Sequence, residues 1–181
     1  MFEYSTHLLK DVSDRYPAMV QMSADALGDA YDIMKRVNAI KGRGTKVIFA
    51  HMGDEFVGYI VYGNTRNYFN WRYDMPLKAS LGRAGIDTDN LTTSTMMVLK
   101  KEHWAGGNHG KMFKAWARSA LLDGHTMGMF PNTLTPELAA WAGRQDGATK
   151  IEGFTDFRGH DIHLFDLKAL GKPRSIKTKK E

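Results

Sequence analysis

The run Glu102-His103-Trp104-Ala105-Gly106-Gly107-Asn108-His109-Gly110-Lys111-Met112-Phe113 concentrates the groups in this chain that are best able to do chemistry. Its glycines permit positive φ and close backbone approach to a ligand. Placed between a strand and a helix, such a turn aims several N–H groups and the positive end of a helix dipole into one concavity. That arrangement suits a phosphate. Glu102 and His103 add a carboxylate and an imidazole, either of which can take a proton directly or through water. The same two residues also read as solvated loop charges, and the glycines as a plain strand-to-helix turn. The elements on either side decide between these readings.

Upstream, residues 91–99 are apolar and β-branched and predict a strand, on which Thr93 and Thr95 share a face and can order a water. Downstream, Met112, Trp116 and Ala120 form a stripe with Phe113, Ala117 and Leu121 beside it. A helix to residue 122 with one broad face on a sheet follows, with Met112 and Trp116 in the core. Asn108 is a good cap for it, and Lys111, in its first turn, either adds charge to a phosphate or is simply solvated. Gly124 ends the helix. A short strand over 126–130, Pro131-Asn132 and a helix opened by Thr135-Pro136-Glu137 come next. Strands over 149–157 and 162–167 close the chain around Arg158-Gly159. His160 and His163 would face opposite sides of a strand, so no metal is expected.

Before this region, residues 2–9 read as a strand. Ser13-Asp14 could cap a helix, but Pro17 limits where it begins. Ser23-Ala24-Asp25 opens a better one, running through Leu27, Tyr31, Met34 and Val37 to Lys41-Gly42. Residues 45–52 and 55–62 form an antiparallel hairpin about Gly53-Asp54. Residues 64–89 are aromatic (Tyr68, Phe69, Trp71, Tyr73) without a steady period, with a short helix expected over 77–81. They suit a lid, an acceptor pocket or a base-stacking surface.

A chain of 181 residues, 43% hydrophobic and 25% charged, fits one globular domain. No apolar run approaches the roughly 20 residues of a membrane span. Cysteine is absent, which removes disulfides and cysteine-ligated zinc and fits a reducing compartment. With no signal-peptide pattern at Met1-Phe2-Glu3, a cytoplasmic location is expected. The net charge of +5 is local: residues 168–181 hold six of the 25 basic groups and one of the 20 acids, leaving 19 of each in residues 1–167. The expected organisation is a single domain over 1–167 and a basic, disordered tail over 168–181 that adds weak, salt-sensitive nucleic-acid contact.

The order of elements, with these residues, resembles the GNAT superfamily of acyl-CoA-dependent N-acyltransferases. The hairpin Met52-Gly53-Asp54-Glu55-Phe56-Val57-Gly58-Tyr59-Ile60 is similar to that family's second and third strands. The segment from Val98 to Phe113 is similar to its central motif, Arg/Gln-x-x-Gly-x-Gly/Ala. Here Ala105 stands for the usual Arg or Gln, Asn108 for the middle glycine and Gly110 for the last small residue. Four residues before Gly147, where many members carry a tyrosine as general acid, this chain has Gly143. The resemblance implies an α/β (α+β mixed) fold with a central mixed sheet of about six to seven strands and flanking helices. It implies acetyl-CoA, or another acyl-CoA, lying between the strand ending near Leu99 and the strand at 126–130. Backbone at Val98, Leu99 and Lys100 would hold the pantetheine arm, and Ala105, Gly106, Gly107, Asn108, His109, Gly110 and Lys111 the pyrophosphate. Asn132 would orient the cofactor, and Glu102 and His103 would assist deprotonation of an attacking amine. The implied partner is an amine-bearing acceptor, and a homodimer is allowed. The rival expectation is a nucleic-acid-directed protein of the same fold that modifies a base or an aminoacyl-tRNA, or only binds.

Overall fold

The computed structural model describes residues 1–28, 44–66, 75–131, 135–156 and 159–172. Its elements run β1 (Phe2–Leu8), α1 (Tyr16–Leu27), β2 (Lys46–Met52), β3 (Glu55–Asn64), α2 (Met75–Arg83), β4 (Leu91–Leu99), α3 (Asn108–Leu122), β5 (Met127–Phe130), α4 (Pro136–Gly143), β6 (Ala148–Thr155), β7 (Asp161–Asp166) and α5 (Leu167–Gly171). The strands form one seven-stranded sheet ordered β1-β2-β3-β4-β5-β7-β6. Every neighbouring pair is antiparallel except β4 and β5, which are parallel. No helix among the described residues is long and apolar enough to cross a membrane.

Helices cover both faces, which is why β3 and β4 read as nearly unbroken apolar or small residues rather than as an alternation. On one face, Met112, Phe113, Trp116 and Ala117 of α3 pack with Ala142 of α4 and Leu167 and Leu170 of α5 against Ile60, Leu99, Phe130 and Phe165. The expected core positions Met112 and Trp116 are fully buried. On the other face, Met19, Met22 and Ala26 of α1 meet Phe49, Val61 and Val98, and Leu77 and Leu81 of α2 meet Met129, Ile151 and Leu164.

Three expectations change. A helix opening at Ser23 is replaced by one opening at Tyr16-Pro17, where proline is tolerated in the first turn. Ser23 lies within that helix, buried, its hydroxyl bonded to the Tyr59 hydroxyl. The chain leaves α1 at Gly28, and the expected run through Tyr31, Met34 and Val37 lies outside the described residues, as do Tyr68 to Tyr73. The boundary expected between 167 and 168 falls inside α5, whose Leu170 is buried against α3. Thr93 and Thr95 do not share free hydroxyls: Thr93 Oγ1 meets Thr65 Oγ1 at 2.8 Å, and Thr95 Oγ1 donates to Val61 O at 3.2 Å.

Candidate functional site

Strands β4 and β5 pair at only three positions, Leu91 with Met127, Thr92 with Gly128 and Thr93 with Met129. Beyond them β4 continues from Ser94 to Leu99 without a partner on that edge among the described residues. The cause is local. The β3–β4 register shifts between Val61 and Tyr62, which oppose Met96 and Ser94, so Thr95 is the extra residue of a bulge. A bulge increases local twist and bends its strand, here where the two parallel strands part. Ser94, at that point, keeps a buried hydroxyl with no hydrogen-bond partner among the described residues.

The peptide directions along the open edge follow from one hydrogen bond. Lys100 N–H donates to Val57 O at 2.9 Å, so Lys100 and Val98 turn their backbone groups toward β3. Met97 and Leu99 therefore present theirs to the gap. Of the three positions expected to offer backbone to a pantetheine arm, only Leu99 faces it, and Met97 joins it. Leu99 O accepts the Trp104 indole N–H at 2.7 Å, while its N–H stays on the open edge.

The gap is a cavity of about 440 Å³. Met97, Val98 and Leu99 line one side, Ala26 and Leu27 of α1 another, and Thr135, Glu137 and Leu138 at the start of α4 a third. Trp104 and His109 stand where it meets the glycine loop.

That loop leaves backbone N–H groups pointing out of the start of α3. After a 3-10 turn over Lys101–His103, Gly106 and Gly107 both adopt φ 71°, the left-handed region where a Cβ is disfavoured. Gly107 takes the N-cap position, and no side chain caps the first turn of α3. The N–H groups there, with the positive end of a 15-residue helix behind them, have no side-chain acceptor among the described residues. Asn108, expected as the cap, instead cinches the loop. Its Nδ2 donates to His103 O and Ala105 O, each at 3.0 Å, and its Oδ1 accepts from Lys111 Nζ at 2.9 Å. Lys111 Nζ also lies 5.8 Å from the Phe2 ring centre. Ala105 is exposed and contributes backbone only. Gly110 has room beside it, since a Cβ there would meet Trp141 at an ordinary 3.8 Å.

His109 packs between Trp104 and Trp141, with ring centres 6.2 and 6.4 Å away, and its ring hydrogen-bonds the Trp104 backbone. Burial holds its pKa below the ordinary imidazole value, with the Trp104 bond opposing, so it is neutral at pH 7. Glu102 and His103 do not line the cavity. Glu102 lines an adjoining cleft with Gln21, Asp25, Phe56, Lys100 and Lys101, and this cleft shares Ala26 with the cavity. His103 packs on the Phe2 ring, its Nε2 buried without a partner among the described residues. Glu102, His103 and Glu55 bring ligand-capable atoms within 4.8 Å of one another, but Lys100 Nζ already pairs with Glu55. His160 and His163 both line a separate pocket beside α4, His160 standing just before β7 rather than in it. A Cβ on Gly143 would lie 2.8 Å from His163 Nε2, which fills the space a side chain at 143 would need. Asn132 lies outside the described residues.

A mixed sheet with helices on both faces, and two parallel strands parted above a glycine-started helix, is the GNAT fold. An N-acyl amino acid synthase, FeeM, from uncultured soil microbes matches with TM-score 0.65 over 94% of both chains at 12% identity. The structure of AAC(6')-Ib in complex with paromomycin and acetyl-CoA matches with TM-score 0.63 at 12% identity, covering 97% of this chain and 98% of its own. A GNAT family acetyltransferase from Elizabethkingia anophelis, with acetyl-CoA bound, matches with TM-score 0.53 at 12% identity over 91% and 95%. No family model and no curated protein matches the sequence. The likeness is one of fold.

Proposed function

We propose that the protein is an N-acyltransferase that moves an acetyl or other acyl group from acyl-CoA to an amine by direct attack. The carrying observation is the parting of β4 from β5 above the uncapped N-terminus of α3. It joins a slot with free backbone groups to an anion seat in one continuous site. The residues fit such a cofactor. Backbone amides from Gly107 to Gly110 suit the pyrophosphate, with Gly106 and Ala105 shaping the turn, Asn108 fixing it and Lys111 adding charge. The inward peptide groups of Met97 and Leu99 suit the pantetheine amides, and Asn132 is kept as a further contact.

Bound acyl-CoA supplies an activated thioester carbonyl. The Met97 N–H, facing the gap, is a donor for the oxygen that gains charge as the amine nitrogen bonds to the carbonyl carbon and the C–S bond breaks. Glu102, in the adjoining cleft, takes the amine proton directly or through water. Glu102 is exposed and passes that proton on to water, with His103, within 4.8 Å of it, assisting. Gly143 offers no acid for the departing thiolate, which takes its proton from water.

Titration calorimetry with acetyl-CoA and longer acyl-CoAs tests the reading: binding supports it, and heats indistinguishable from buffer across the series refute it. Because Gly110 has space around it, Gly110→Val should keep the fold yet weaken acyl-CoA binding about tenfold or more, a loss of roughly 1.4 kcal/mol. Unchanged affinity would move the anion seat elsewhere.

A further inference from the structure

The charge of α3 is one-signed. Lys111, Lys114 and Arg118 recur at helical spacing on the side opposite Met112, Phe113, Trp116, Ala117 and Ala120, all of which are buried. No acidic residue occurs between His103 and Leu122. This row continues into α5. Lys114 Nζ donates to Lys172 O at 2.8 Å and Arg118 Nε to Gly171 O at 3.4 Å, which sets the Gly171–Lys172 end of α5 beside it, with the exposed Lys168 one turn back on the same short helix. Carbonyls orient these side chains without cancelling their charge. Among the described residues, none of the five cations pairs with a carboxylate. Residues 1–167 are neutral in sum, so their acids are concentrated elsewhere. Past Lys172 the sequence adds Arg174, Lys177, Lys179 and Lys180 against Glu181.

We propose that the outer face of α3 and α5 is a nucleic-acid-binding surface that grips a phosphate backbone. From Lys111 to Arg118 the helix advances about 10 Å, and the row then turns onto α5, so it is longer than one phosphate group requires. Spaced, unpaired cations are what a polyanion needs, because each neutralised phosphate releases counterions. A folded acidic protein would also need an apolar centre to its interface. Of the exposed large apolar side chains among the described residues, Leu122 lies at the far end of the row and Tyr4 near Arg118. The surface shares Lys111 with the acyl-transfer reading, while Lys114, Arg118, Lys168 and Lys172 are independent of it.

Fluorescence anisotropy of the full chain with a labelled single strand of about 20 nucleotides tests it, at salt from about 50 to 200 mM. Binding should weaken linearly in log salt. The triple variant K114E/R118E/K168E, which spares the glycine loop, should bind at least about tenfold more weakly and lower the salt slope by about 2–3. Lys78→Glu, on the opposite face, should leave both unchanged. Should circular dichroism show the triple variant misfolded, Lys114→Gln and Lys168→Gln singly should each lower the slope by about one. Absence of salt-dependent binding, a slope unaltered by removing these cations, or displacement by poly-glutamate at equal charge as readily as by unlabelled strand would overturn the proposal.

Discussion

At the scale of single residues, the site depends on side chains that are absent. A Cβ on Gly128 would lie 2.7 Å from Trp116 Cη2 and 2.9 Å from Leu167 Cδ2. Glycine in the middle of β5 is therefore what lets the Trp116 ring close on the sheet one residue before the strands part. Gly128→Ala should destabilise the protein by about 1–3 kcal/mol through overpacking, read as a lower urea midpoint with unchanged slope. A neutral result would mean that α3 can shift to make room. Nothing in the sequence marks Gly128 apart from other glycines, because its partner Trp116 comes from another element. Trp116 and Met112 themselves were legible as core, since helical spacing alone puts them on the buried stripe.

Among the elements, those whose pattern is local were legible and those set by distant partners were not. The hairpin of β2 and β3 announces itself through β-branched runs around Gly53-Asp54, and α4 through Thr135, whose Oγ1 caps the Leu138 N–H at 3.1 Å. The start of α1 was signalled only loosely, by Ser13-Asp14 and Pro17, and Ser23 looks like the better cap, whereas its hydroxyl belongs to Tyr59, 36 residues away. In the loop before α3, the sequence marks the glycines but not which residue tunes the strand end. That is Trp104, nearly half exposed, whose indole holds Leu99 O. Trp104→Phe removes a hydrogen bond worth about 1 kcal/mol net, so stability should barely change. Its larger effect should be optical: the tryptophan fluorescence change on adding acetyl-CoA should shrink markedly. A change as large as in the parent protein would place the ligand away from this loop.

The whole molecule carries two imidazoles that folding keeps neutral, and they couple its stability to pH. His163 is buried against Gly143, with Nδ1 unpartnered among the described residues, and burial lowers its pKa more than Asp161 raises it. His109 is lowered by burial in the cavity wall. In the unfolded chain both titrate near pH 6.5. Below that value the unfolded state binds protons that the folded state refuses, so stability must fall as pH drops from about 6.5 toward the folded pKa values. Above it, both states are neutral and neither residue contributes. Glu55, held low by the Lys100 ammonium, loses its contribution only at more acidic pH, so unfolding free energies at about pH 7.5 and 5.5 isolate the histidines. His163→Gln should flatten that difference, and His109→Gln should flatten it further in the double variant. Saturating acetyl-CoA, by covering His109 but not His163, should deepen the acid loss in the parent and leave it unaltered in His109→Gln. A parent protein equally stable at both pH values would show that the two rings are protonated in the fold after all.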